Sequence, residues 1–175
     1  MKEKVYRQIA EGRPLLADIA IAFGKREIRH QLCGSIRRGA SVFGDVDYVV
    51  LDSLADVMDA FRTVEGAECF DLAENRKSFS VMMRGVQVDV YKATDEDFGA
   101  MTLFLTGSAF LNILMRGYAK KQGLLLNQYG LWNGDMRLAG RTEEQMFYAL
   151  GLKYLMPEER SIVKTDKGEK ILVPV

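Results

Sequence analysis

Asp45 and Asp47 stand one residue apart in GDVDYVV, a segment that alternates acidic with apolar positions. On a strand, residues two apart project from the same face, so both carboxylates come within reach of a shared hard cation. An isolated Asp-x-Asp is more often a solvated strand edge than a metal site, and the upstream sequence is what separates this pair from that case. Gly34-Ser35 turns the chain into a short helix, where free backbone N–H groups and a hydroxyl suit phosphate oxygens. Arg37 and Arg38 add positive charge nearby. A phosphate cradle followed by paired carboxylates suits metal-assisted phosphoryl transfer from a nucleoside triphosphate. Two metals held about 3.5–4 Å apart need more than two carboxylates. Asp89 in VQVDVYKA is the candidate third, an acid on an otherwise apolar strand whose neighbours Val88 and Val90 face the core; the alternative is an edge-strand Asp facing water.

The other acids read more plainly. Asp52, Asp56 and Asp59 fall at a helix start or at helical spacing and are expected as surface charge, while Asp95 and Asp97 open a helix as capping charge. Cys33 and Cys69 sit in apolar runs without metal-ligand spacing and are expected as reduced core residues. The formal net charge of zero conceals a division along the chain. Residues 1–40 carry nine Lys or Arg against four acids, whereas residues 41–75 carry Arg62 alone against nine acids. No run of about 18 apolar residues occurs, and the N-terminal MKEKVYRQIAEGR is charged and amphipathic. A soluble, cytoplasmic, monomeric protein with no membrane partner is the expectation.

Several elements must position these groups. Apolar residues recur at helical spacing over residues 3–25, interrupted at Gly12 and Pro14, which predicts one broken helix or two short ones. A strand over 28–33, the turn at Gly34-Ser35, a short helix, the strand 45–50 and a helix over 54–61 follow. Three β-like stretches come next, at 68–73, 77–84 and 87–93, with Arg84-Gly85 as a tight hairpin turn between the last two. From Asp95 the pattern is helical to Leu105, restarts after Thr106-Gly107-Ser108 and runs to Gln122 with Gly123 as cap. Short strands near Leu125 and Leu131 flank a turn at 127–130. Thr142 caps a last helix ending near Gly151, and the tail from Pro157 is irregular with a final strand at Lys170–Val173. The fold class expected is α+β: a palm with a mixed β-sheet flanked by helices over residues 1–103, and a small C-terminal α+β subdomain over 104–175.

The GSIRRG…GDVD element, the VDV strand, FLTGSAFLNILMR and LNQYGLW together resemble the family X DNA polymerases, the group of DNA polymerase beta, over residues 28–160 in the right order. The GS…D-x-D element alone recurs across the wider nucleotidyltransferase superfamily. The resemblance implies that Asp45 and Asp47 bind two Mg²⁺ ions, with Mn²⁺ as an alternative, and that Asp89 helps bind the catalytic metal and accepts the proton from, or orients, a primer 3′-hydroxyl. It assigns Gly34, Ser35, Arg38 and Gly44 to the triphosphate of a dNTP, and Phe104, Leu105 and Gly107 to its sugar. Asn112 would reach the minor-groove edge of the base. Arg76, Arg116, Lys120, Lys121 and Tyr129 would contact a DNA primer–template or gapped duplex. For Phe104 and Leu105 the competing role is helix core, for Asn112 an exposed helix position, for Tyr129 turn packing. Leu105 stands where members commonly carry an aromatic before Thr-Gly, and residues 1–30 are too few for the helical lyase domain that some members add, so a compact form is expected. The implied activity is template-directed gap filling. Transfer of nucleotides to another acceptor without a template, and a nucleotide-binding module without catalysis, are the competing functions.

Overall fold

A computed structural model describes residues 5–161; the expected strand at Lys170–Val173 lies outside them. The described chain divides into two compact units, one of residues 5–36 and 40–93, the other of residues 37–39 and 94–161. Both mix helices with sheets, an α+β arrangement.

In the first unit, β1 (Arg7–Gln8) leads into α1 (Ile9–Lys25), β2 (His30–Leu32), α2 (Gly34–Arg37), β3 (Val42–Phe43), β4 (Asp45–Val50), α3 (Leu54–Phe61), β5 (Ser78–Met83) and β6 (Val86–Lys92). The expected break in the first helix is absent: α1 runs through Pro14. Proline costs one hydrogen bond near the helix start, and the buried Leu15, Ile19, Ala22 and Phe23 hold the helix on its core. Gly12 has a packing role instead, because a Cβ there would lie 2.5 Å from the ring of the buried Phe43. Residues 68–73 also depart from expectation. They form no strand; an Ala67–Met83 bridge, the Glu68 N–H on the Met82 carbonyl and an edge-to-face contact of Phe70 with Phe79 join this stretch to β5.

A four-stranded mixed sheet, ordered β2-β4-β6-β5, carries the unit. Strand β4 runs parallel to β6, while β2 and β5 are antiparallel to their neighbours. Period-2 alternation sends Val46, Tyr48, Val50, Val88, Val90, Phe79 and Val81 to one face, where they form a common core with Phe23 of α1 and Phe61 of α3. The β5–β6 hairpin turns as its sequence predicts, with Arg84 and Gly85 both at positive φ. Arg84 is held in that conformation by an ion pair to Asp18 and a hydrogen bond from its Nε to the Glu65 carbonyl. Both cysteines are free, Cys33 buried and Cys69 half-buried.

The second unit contains α4 (Phe98–Thr106), α5 (Ala109–Lys121), an antiparallel sheet of β7 (Leu125–Asn127), β8 (Gly130–Asn133) and β9 (Met136–Ala139), then α6 (Glu143–Ala149) and a 3₁₀ turn at Pro157–Ser161. Strand β9 was not anticipated, although Asn133-Gly134 before it is a hairpin signal. Ser108 and Thr142 cap α5 and α6 through their hydroxyls, Thr142 as the sequence predicts. Asp97 does not cap α4 in this way. Its carboxylate accepts from Thr94, and the Gly99 and Ala100 N–H groups bond the Arg141 and Gly140 carbonyls instead.

Glu143 looks like an ordinary first-turn acid, yet it is only 6% exposed. Arg37 reaches one carboxylate oxygen at 2.5 Å and the fully buried Arg160 the other at 2.6 Å. Arg160 also donates twice to the Leu155 carbonyl and lies over the rings of Phe147 and Tyr154. No described helix is long and apolar enough to cross a membrane.

Two outcomes are expected. Replacing Glu143 by Leu strands two buried or half-buried guanidinium groups and lowers stability by about 3–5 kcal/mol, read as the urea midpoint followed by the fluorescence of Trp132, the single tryptophan. Burial, with Cys33 adding, pushes the Tyr48 phenol well above its ordinary 10.0. Its contribution is therefore fully present below about pH 10 and declines by up to about 1.4 kcal/mol per unit above it. Tyr48→Phe should flatten that alkaline loss in urea titrations; an unchanged slope would refute the assignment.

Candidate active site

The face of the sheet opposite the aromatic core carries the acids. Parallel pairing of β4 with β6 sets Asp47 in register with Asp89, and Asp45 with Gln87. Neighbouring strands lie about 4.8 Å apart, so three carboxylates share one patch of one face. Asp45 and Asp47 are half-buried, and Asp89 is 7% exposed. Tyr91 continues the same face of β6. Burial first, and then the fields of Asp89, Asp47 and Asp45, raise its phenol above the ordinary value. Antiparallel pairing places Ser80 beside Asp89 and Ser78 beside Tyr91, both exposed.

The strand-to-helix turn brings the expected phosphate element to the same acids. Cys33 donates its N–H to the Asp47 carbonyl at 2.8 Å, extending the β2–β4 ladder, and Gly34 follows at φ +68°. A Cβ on Gly34 would lie 2.5 Å from Asp47 Oδ2. Only glycine combines this backbone with that approach. Ser35 is half-buried on the single turn of α2, and Gly44 immediately precedes β4.

The donor set is three carboxylates, which suits a hard divalent cation such as Mg²⁺ or Mn²⁺. Among the described residues, no three His, Cys, Asp or Glu side chains are gathered closely enough to hold a metal as they stand. Asp89 is turned to Gln87, whose Nε2 donates to both carboxylate oxygens at 3.0 Å. Sequence reasoning passed over Gln87 and Tyr91, although the spacing of residues 87, 89 and 91 was the available signal.

The remaining candidates belong to the second unit, apart from Arg76, which is exposed on the loop before β5. Arg37, expected to add charge to a phosphate cradle, is instead committed to Glu143 and to the Thr106 hydroxyl. Arg38 donates to the Thr106 carbonyl and to the Ser161 hydroxyl. Phe104 and Leu105 are half-buried on α4. Asn112 Nδ2 bonds the Phe104 carbonyl at 2.8 Å, and the Arg116 guanidinium sits 5.3 Å from the Phe104 ring centroid. These contacts join the three positions into one cluster. Gly107 ends α4 at φ +67°. Arg116, Lys120 and Lys121 are exposed along α5, and the Tyr129 N–H closes the β7–β8 turn on Asn127 Oδ1.

The family model of the DNA polymerase beta thumb matches residues 101–161, from within α4 through the 3₁₀ turn. The chain is 29% identical to DNA polymerase lambda of Rattus norvegicus over 73% of its own length and 28% of that protein. It is 27% identical to Repair DNA polymerase X of African swine fever virus (isolate Warthog/Namibia/Wart80/1980) over 73% of this chain and 78% of the viral one. With DNA polymerase/3'-5' exonuclease PolX of Bacillus subtilis (strain 168), identity is 29% over 76% of this chain and 24% of the bacterial protein. Over about three quarters of its length the chain is thus similar to DNA polymerases of family X. The chain spans about a quarter of the length of the rat and Bacillus proteins and over three quarters of the viral one.

Gly34→Ala tests the turn on which the acid face depends. Forcing a Cβ into a positive-φ position against Asp47 should cost about 1–2 kcal/mol in denaturant unfolding. A variant as stable as the parent would mean that the close approach carries no constraint.

Proposed function

We propose that this chain is a template-directed DNA polymerase that adds nucleotides to a primer 3′-hydroxyl, releases pyrophosphate and fills gaps during repair. The observation that supports it most is the registered pairing of Asp47 with Asp89, with Asp45 on the same face, in a chain similar to family X DNA polymerases. On this reading the palm is the stretch up to residue 103 and the nucleotide-selecting subdomain the stretch from residue 104.

Asp45 and Asp47 would hold two divalent ions, with Asp89 completing the set at one of them. When bound, these ions supply Lewis-acid neutralisation of charge on the phosphoryl group undergoing transfer. Asp89 accepts the hydrogen bond of the primer 3′-hydroxyl and takes its proton as the oxygen attacks the α-phosphorus. Gly34, Ser35, Arg38 and Gly44 orient the triphosphate, Phe104, Leu105 and Gly107 lie against the sugar, and Asn112 contacts the minor-groove edge of the base. Arg116, Lys120, Lys121, Arg76 and Tyr129 hold primer and template. Contacts of cationic side chains with phosphates are independent of sequence and weaken with salt. Leu105, lacking the flat ring common at this position, relaxes the choice between deoxyribose and ribose.

Incorporation on a duplex with a one-nucleotide gap, compared for all four dNTPs and NTPs with Mg²⁺ and with Mn²⁺, tests this directly. Template-matched insertion is expected, and Asp89→Asn should lower kcat about a thousandfold without loss of stability. Equal extension of a primer lacking any template would favour a nucleotidyltransferase for another acceptor, and no extension with either metal would sink the proposal.

A further inference from the structure

Asp89 is among the few buried charged residues of the described chain. A carboxylate so shielded needs donors. Gln87 supplies them, two residues away on the same face of β6, with one nitrogen placed 3.0 Å from each carboxylate oxygen. Strand register puts Gln87 between Asp45 on β4 and Met82 on β5, so its amide stands in the acidic face itself. We propose that Gln87 is a positioning residue for Asp89, holding the carboxylate in place through both oxygens and yielding one of them to a divalent cation taken up by that face. The inference rests on reading the acidic face as the metal-binding centre of a polymerase.

Two features of the geometry carry it. The acids are not gathered as a ready-made cation site, and the bifurcated bond accounts for the orientation of Asp89. A hard cation binds carboxylate oxygen, so uptake at Asp89 requires the amide to give way at one oxygen at least. The donor is also neutral. An arginine or lysine in its place would form a charge-assisted pair with Asp89 and repel an arriving cation, whereas an amide orients the oxygens and releases them at low cost. It can keep its bond to the second oxygen while the first is engaged, and partners of this outer kind are typically worth 10–100-fold in metal affinity or activity.

The test uses the full ¹⁵N-labelled chain, in which the Gln87 side-chain NH₂ pair is identified as the one missing from Gln87→Met. Titration with Mg²⁺ alone should shift that pair progressively in the parent. Loss of the free-ion electron paramagnetic resonance signal of Mn²⁺ should show about tenfold weaker uptake by Gln87→Met, with Tm unchanged. On gapped DNA the same variant should lose about tenfold in kcat at unchanged KM for dNTP, and lose nothing further when Asp89 is already Asn. A purely structural role for Gln87 would lower Tm and leave metal uptake alone. If the parent binds Mn²⁺ and extends primers while the Gln87 pair stays still or Gln87→Met binds Mn²⁺ like the parent, this inference is overturned and the polymerase reading stands. If the parent neither takes up Mn²⁺ nor extends a primer, both fall.

Discussion

The acidic face depends on one backbone constraint, the parallel pairing of β4 with β6. Hydrogen bonds between these central strands put Asp47 opposite Asp89 and Val46 opposite Val88. Because side chains alternate with period two, a slip of one residue in β6 would bury Asp89 among Phe23, Tyr48 and Phe61 and expose Val88 and Val90. The apolar core therefore enforces the register, and the register gathers the acids. The hairpin at Arg84-Gly85 and the β2–β4 ladder add to the same result from the two flanks, the latter by delivering Gly34 against Asp47. Packing and chemistry are two faces of one pairing.

The second unit is organised around a different constraint. Glu143 bridges Arg37 and Arg160 where solvent hardly reaches, and Arg160 finds its remaining partners in a backbone carbonyl and two aromatic faces. A buried carboxylate between guanidinium groups is a weak source of net stability but is costly to break. Its consequence is positional: it ties residues 37–39, α6 and the 3₁₀ turn into one body, and it removes Arg37 from the charges free to meet a phosphate.

Zero net charge is no argument against a polyanionic substrate when charge is so unevenly distributed. Arg116, Lys120 and Lys121 lie exposed on one helix, the acids of β4 and β6 share a sheet face, and several of the remaining acids are occupied locally. Asp52 is one of these. Hydrogen bonds and charge from Arg29 hold its carboxyl below the ordinary carboxylate range, as suits a surface ion pair. Asp56 accepts from Ser53 at a helix start and Asp59 pairs with Arg62, which matches their expected role as surface charge.

Local pattern alone determined most of the elements that hold the acids. Alternation over 45–50 and 87–92 marked both central strands, Arg84-Gly85 their neighbouring turn, and Ser108 and Thr142 two helix starts, because each signal is complete within a few residues. The same locality explains the misses. Pro14 predicted a broken helix, but long-range packing of Leu15, Ile19 and Phe23 outweighs one lost hydrogen bond. Residues 68–73 have strand-like composition without a partner along which to form a ladder. Glu143 occupies an ordinary N-terminal helix position, and only the fold brings Arg37 and Arg160, both distant in sequence, to its two oxygens. The shared face of Asp45 and Asp47 follows from their spacing on one strand, whereas the placement of Asp89 beside Asp47 was decided by the pairing of β4 with β6, which no run of neighbouring residues encodes.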